Sequence, residues 1–173
     1  VLTRDIRFLT SLQHWRVIGG AFLLLYAAGA LPGEFAWPAG LGGIFIGLTA
    51  PLIMLALARR SGFAKGATFI AWNVAGLLDF VVAGTAATLA SGAVPGVVAP
   101  GSLSSAPMGI SPLFLFPGFI VPFFIMVHLS VLFQIFALRR AGSAPSTRTT
   151  EAPREVFAPV GAGDLPFQTG REG

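Results

Sequence analysis

Four long apolar segments, separated by short polar or proline- and glycine-rich stretches, account for most of the sequence. About 20 helical residues, each rising about 1.5 Å, cross a hydrocarbon core of about 30 Å. Each segment is long enough for such a crossing. The pattern therefore predicts four membrane-spanning helices, at residues 12–31, 39–58, 66–90 and 113–138.

The stretches before and between these spans predict one more helix and three connections. In residues 1–12, apolar side chains recur at helical spacing, which predicts a short amphipathic helix in the membrane interface. Residues 31–38 contain two prolines and a glycine and predict a tight turn, whereas residues 59–65 form a basic loop. Residues 91–112 contain four prolines, four glycines and no charge, so we expect them to lie along the membrane surface or under a partner.

The last part of the chain, residues 141–173, differs in composition from the rest. It mixes Pro, Gly, Ser and Thr with charges of both signs, and it has too few apolar residues to form a core of its own. We expect an extended polar tail. Phe157 and Phe167 lie in its short apolar clusters, and they are the predicted anchors on neighbouring subunits.

Basic residues predict the orientation of the bundle. The two connections at one end of the predicted spans contain no Lys or Arg. The basic residues nearest the spans all belong to the other end: Arg4, Arg7, Arg16, Arg59, Arg60, Lys65, Arg139 and Arg140. Because basic residues favour the cytoplasmic side, both termini are predicted to be cytoplasmic. The predicted fold is therefore all-α, an antiparallel bundle of four transmembrane helices in a bacterial inner membrane.

Composition agrees with a lipid environment. The chain is 54% hydrophobic and 10% charged, whereas soluble domains carry about 25% charged residues. A net charge of +4 would suit nucleic acid, but the basic residues mark helix ends and do not form a basic face with exposed aromatics. The absence of cysteine excludes disulfides, thiolate metal sites and iron–sulfur clusters. The expected partners are lipids and other membrane subunits, and nucleic acid is not among them.

Asp79 lies near the centre of the third predicted span. A carboxyl group in mid-bilayer costs roughly 2.5 to 3.5 kcal/mol of insertion free energy and normally faces protein. Helical spacing places it on one stripe with Trp72 and Gly76. We expect Asp79 to find a partner in the bundle, so that Asp79→Asn is tolerated and Asp79→Leu is costly.

His128 in the fourth span lies at a depth similar to that of Asp79, within about 5 Å along the bilayer normal. Two interpretations remain open. The pair could form a proton relay or a ligand site, as intramembrane ionisable residues often do. Alternatively, it could supply interhelical hydrogen bonds, with Asp79 bonded to a hydroxyl, to Asn73 or to backbone.

Other side chains predict packing and placement. Gly43 and Gly47 form a GxxxG pattern that permits close helix contact, and Gly76 serves the same purpose in the third span. Arg16, at the start of the first span, is expected to extend to the lipid headgroups. Pro51 is expected to kink or loosen the second span.

Cofactor and enzyme motifs are sparse. His14 and His128 could together ligate a haem, or either could ligate a chlorophyll magnesium. We nevertheless expect the protein to bind no metal and no cofactor. The sequence contains no GxSxG, phosphate loop, GxGxxG or HExxH pattern. We therefore predict no enzyme activity.

Two stretches carry a resemblance to a known group: HWRVIGGAFLLLYAAGALPGEFAWPAGLGGIFIGLTAP and WNVAGLLDF. Over about residues 14–138 the chain resembles a loose group of small bacterial four-span membrane proteins without an assigned activity. The resemblance implies four spans. In that group an acid often stands where this chain has Gly43, so Asp79 would be the only carboxylate within the spans.

These features favour a non-catalytic accessory subunit of a larger bacterial membrane complex, with energy-transducing complexes, respiratory or photosynthetic, as the candidates. The alternative function is a small proton-coupled transporter or carrier that uses Asp79 and His128. A subunit would bring other chains with it through purification, whereas a carrier would behave as a monomer or homo-oligomer.

Overall fold

The computed structural model describes residues 2–99 and 101–142, and this part of the chain is helical and contains no strand. The predicted tail anchors Phe157 and Phe167 lie outside the described residues. The main elements are α1 (Leu2–Leu12), a 3-10 helix (Gln13–Gly20), α2 (Ala21–Ala27), α3 (Gly33–Arg59), α4 (Ala67–Leu89), a π-helical turn (Phe116–Ile120) and α5 (Val121–Gly142).

Three helices in the described part are long and apolar enough to cross a membrane: Gly33–Arg59, Ala67–Leu89 and Phe116–Ala141. They correspond to the second, third and fourth predicted spans. Because α3 begins at Gly33, the predicted turn over residues 31–38 is too long, and Trp37 and Pro38 belong to the helix. The α3 helix also continues through Pro51.

The first apolar segment is not one continuous α-helix, contrary to the prediction for residues 12–31. It consists of the 3-10 helix and the short α2, and it ends at Gly29, whose φ of 69° favours glycine. A 3-10 helix has three residues per turn, so side chains three positions apart project from the same face. Gln13, Arg16 and Gly19 are the buried residues of this helix, at that spacing.

The amphipathic helix α1 packs its apolar face against the end of the bundle. Ile6 is buried in a core cluster that also contains Ile46, Phe69, Val131 and Ile135. Arg7 donates a hydrogen bond of 2.9 Å to the carbonyl of Leu57, near the end of α3. The position of α1 therefore depends on these contacts with the bundle as well as on its amphipathic pattern.

A second core cluster lies at the opposite end of the bundle and contains Phe22, Leu31, Phe35 and Met108. Met108 belongs to the connection over residues 91–112. In the same connection, the amide of Ser105 donates 2.9 Å to the carbonyl of Ala90. Part of this connection thus folds back onto the bundle, where Met108 buries its side chain.

Candidate functional site

Arg16 lies at the centre of a buried polar cluster. Its side chain is 3% exposed and forms an ion pair with Asp79, joining the first segment to α4. The expectation that Arg16 extends to the lipid headgroups is wrong. The 3-10 geometry directs the side chain inward, and Asp79 supplies the opposite charge that a buried guanidinium requires.

The second terminal nitrogen and the flat face of the Arg16 guanidinium make further contacts. One terminal nitrogen, Nη1, lies 3.1 Å from the carbonyl oxygen of Gly76 and 3.0 Å from Nε2 of His128. The guanidinium carbon lies 3.9 Å from the centre of the Phe80 ring, in cation–π geometry. Arg16 therefore links the first segment, α4 and α5 through one side chain.

The hydrogen bonds of His128 define its tautomer. Arginine can only donate, so Nε2 of His128 must accept from Arg16. The other ring nitrogen, Nδ1, lies 3.0 Å from Oδ1 of Asn73, whose amide nitrogen donates to the carbonyl of Phe69. Because Asn73 Oδ1 accepts, Nδ1 of His128 must carry the proton. The cluster thus contains one positive charge, one negative charge and a neutral imidazole.

This assignment predicts the state of His128 in solution. We expect the ¹⁵N spectrum of the folded protein at neutral pH to show His128 as neutral, with a protonated Nδ1 and an unprotonated Nε2. Replacement of Asn73 by leucine removes the acceptor for Nδ1 but leaves Arg16 as the donor to Nε2, so Nε2 should stay unprotonated in this variant. A charged ring, or a neutral ring protonated at Nε2 in the unaltered protein, would contradict the assignment.

Two glycines provide the space for the cluster. A Cβ atom at Gly42 would overlap the carboxylate of Asp79, and one at Gly76 would overlap the ring of His128 and lie 3.1 Å from Nη1 of Arg16. Gly76 was predicted as a helix-packing residue, and the structure places it against side chains of the cluster. Gly42 was not singled out from the sequence, since it lies outside the GxxxG pair.

The structure places the predicted packing residues Gly43 and Gly47 against the backbone of the first segment. A Cβ atom at Gly43 would lie 2.9 Å from the carbonyl oxygen of Arg16, and one at Gly47 would lie 2.6 Å from the amide nitrogen of Val17. The 3-10 helix can approach α3 this closely because neither glycine has a side chain. This approach brings Arg16 within reach of α4.

The predicted intramembrane residues Asp79, His128 and Asn73 are thus brought together, with Arg16 as the partner that sequence reasoning missed. This partner changes the expectation for Asp79→Asn. Asparagine keeps the size of the side chain but leaves the buried guanidinium without a counter-charge, so this substitution should also cost stability. The second interpretation expected Asp79 to bond to a hydroxyl, to Asn73 or to backbone, whereas the structure pairs Asp79 with Arg16.

The histidines offer little to a metal. Both ring nitrogens of His128 are engaged in hydrogen bonds, and His14 is an exposed residue whose Nδ1 lies 3.0 Å from the carbonyl of Gly47. Within residues 2–99 and 101–142, no group of three or more His, Asp or Glu side chains could hold a metal ion. Ligation of a haem or chlorophyll by His128 would require the loss of its hydrogen bond with Arg16 or with Asn73.

One signal in the sequence could have identified Arg16. Thr10, Gln13, Arg16 and Gly19 recur every three residues, and all four are buried. Polar or small residues at a strict spacing of three are consistent with the inward face of a 3-10 helix. Gln13 is buried in this series, and neither polar atom of its amide has a hydrogen-bond partner in the described part of the chain.

A small cavity of about 50 Å³ adjoins the ion pair. Its wall includes Arg16, Asp79, Phe22, Phe116 and Phe124. The Asp79 side chain is 14% exposed. This space can hold one or two water molecules, since a water occupies about 30 Å³ in the liquid.

Over the residues that the structure describes, the protein is helical and contains three apolar helices compatible with membrane insertion. The chain belongs to the family described as Domain of unknown function (DUF8737), whose model matches residues 2–136. The matched range contains Arg16, Asp79 and His128. No curated protein and no solved structure matches the chain.

Proposed function

We propose that this protein is a non-catalytic accessory subunit of a larger membrane assembly, and that its polar cluster holds its own bundle together. One observation carries this proposal: the hydrogen bonds of Arg16, Asp79, His128 and Asn73 are made with one another or with backbone. Groups engaged in this way stabilise helix contacts in an apolar environment. They are poorly arranged to receive a substrate without first breaking those contacts.

We further propose that the first segment is a fourth span. Eight 3-10 residues at about 2.0 Å and seven α-helical residues at about 1.5 Å extend about 26 Å, close to the thickness of a hydrocarbon core. With four spans, the placement of Arg and Lys favours two cytoplasmic termini in a bacterial inner membrane. The resemblance to small bacterial four-span proteins agrees with this arrangement.

The topology can be tested by labelling single cysteines introduced into a chain that has none of its own. Cysteines at Gly33 and Ser104 should react with an impermeant reagent from outside the cell. Cysteines at Ser61 and Ser143 should react only after the membrane is opened. A Ser104 position that reacts only from the cytoplasm would contradict the proposed orientation.

Apolar side chains on the long helices support contact with lipids and with other membrane subunits. Large exposed residues include Leu52, Val81, Met126 and Phe133. Purification in a mild non-ionic detergent tests the accessory role. We expect other membrane proteins to co-purify in fixed ratio, whereas a protein that remains a monomer or homo-oligomer at every detergent concentration would contradict that role.

The small cavity beside Asp79 favours one second candidate, a proton-coupled carrier that uses Asp79 and His128. In this alternative, a proton reaching Asp79 would weaken its ion pair with Arg16 and allow the helices to move. Reconstituted vesicles carrying a proton gradient distinguish the two functions. The accessory role predicts the same gradient decay as in protein-free vesicles, whereas faster decay that is lost in folded Asp79→Asn protein would support the carrier.

A further inference from the structure

A larger cavity, of about 690 Å³, lies at the end of the bundle opposite α1 and is independent of the polar cluster. It forms between the start of α3, the end of α4 and the connection that follows α4. Its volume falls within the range of about 300 to 1,000 Å³ that is typical of sites for small organic ligands.

Most of the cavity wall is apolar. Leu89, Val97 and Leu103 line it, and each of these side chains is about half exposed. Exposed aliphatic side chains around a concave surface favour an apolar ligand, because binding removes their surface from water.

Glu34 supplies the charge of the cavity. It lies in the first turn of α3, where its carboxylate also complements the helix dipole. Residues 27–38 and 84–115, which together form this end of the bundle, contain Glu34 and no other Asp, Glu, Lys or Arg. The cavity therefore presents one negative charge against an apolar wall.

We propose that this cavity binds an amphipathic organic monocation, with its ammonium or phosphonium group near Glu34 and its apolar body against Leu89, Val97 and Leu103. A single carboxylate is a poor site for a divalent cation, which prefers several oxygen ligands. A zwitterionic lipid headgroup is disfavoured, since its phosphate would lie near Glu34 with no Lys or Arg in the surrounding stretches to receive it.

Equilibrium binding of tetraphenylphosphonium to the purified full chain in non-ionic detergent tests the proposal. We expect saturable binding of one cation per protein. Tetraphenylborate has nearly the same size and shape but the opposite charge, and it should show no saturable binding. Equal binding of the two ions would overturn the proposal, because it would show that apolar partitioning alone accounts for the interaction.

Substitutions at Glu34 locate the site. The residue is exposed, so its replacement should leave the fold intact, as the thermal unfolding midpoint can show. Glu34→Gln should weaken binding about fivefold, which corresponds to about 1 kcal/mol for an exposed charge pair, whereas Glu34→Asp should largely preserve binding. Unchanged binding in Glu34→Gln would overturn the assignment of the site.

A short-chain phosphatidylethanolamine distinguishes the source of the cation. If the lipid does not compete with tetraphenylphosphonium, the site takes a free organic cation, as proposed. If it displaces the cation from the unaltered protein in proportion to its concentration, the occupant is a lipid headgroup and the proposal is wrong. Neither result depends on whether the chain is an accessory subunit or a carrier.

Discussion

Replacement of Arg16 by methionine is expected to lower the free energy of unfolding by about 3 to 5 kcal/mol. Methionine keeps much of the length of the side chain but removes every donor. Asp79 would lose its ion-pair partner, and His128 would lose the donor to Nε2. A carboxylate left unpaired in a buried site accounts for most of the expected loss. Reversible unfolding of the purified protein in mixed micelles with a denaturing detergent would measure it.

Arg60→Met is the matched control, because Arg60 is an exposed residue in the basic loop after α3. We expect this change to alter the free energy of unfolding by less than about 0.5 kcal/mol. If Arg16→Met and Arg60→Met had the same small effect, Arg16 would extend to the headgroups after all, and the buried cluster would not describe the folded protein.

Replacement of Gly47 by alanine is expected to cause the second large effect. The added methyl group would meet backbone atoms of the first segment, 2.6 Å from the amide nitrogen of Val17 and 3.0 Å from the carbonyl oxygen of His14. Backbone cannot change rotamer to make room, so the 3-10 helix must move away from α3. We expect a loss of about 1 to 3 kcal/mol, together with a weakened contact between Arg16 and Asp79.

Gly84→Ala is the control for this substitution, since Gly84 also lies within a long helix, α4. Nothing lies within 4 Å of a Cβ atom added there. Alanine also favours helix more than glycine does, so Gly84→Ala should be neutral or slightly stabilising. Equal effects of the two changes on the unfolding free energy would show that Gly47 is not a close-approach position.

The long apolar helices could be predicted from the sequence because their signal is local. A window of apolar residues in α3, α4 or α5 identifies an element whatever its neighbours are, and the predicted bounds differ from the structure chiefly at helix ends. The start of α3 was missed because Trp37 and Pro38 are typical of a turn at a membrane interface, although here they continue the helix.

The form of the first segment could not be predicted in the same way. Its apolar residues fit an α-helix as well as a 3-10 helix over a short window, and the choice depends on contact with Gly43 and Gly47 in another element. The error at Arg16 followed from this. On an α-helical span, an arginine near the end is expected to reach the headgroups, whereas on the inward face of the 3-10 helix it meets Asp79.

Part of the candidate site was nevertheless visible in the sequence. Asp79, Asn73 and His128 stood out because polar groups are costly inside apolar spans, and the structure brings all three to one place. Which of them would bond to which depends on the rotation and depth of separate helices. Residue spacing within each helix does not define those quantities.

A double-mutant cycle on Arg16 and Asp79 tests most directly the claim that the buried cluster stabilises the bundle. The unfolding free energies of the unaltered protein, Arg16→Met, Asp79→Leu and the double variant give the coupling between the two side chains. We expect a coupling of about 2 to 3 kcal/mol, so that the double variant loses clearly less than the sum of the two single losses, because it leaves no unpaired buried charge. Additive effects, with a coupling below about 0.5 kcal/mol, would contradict the account.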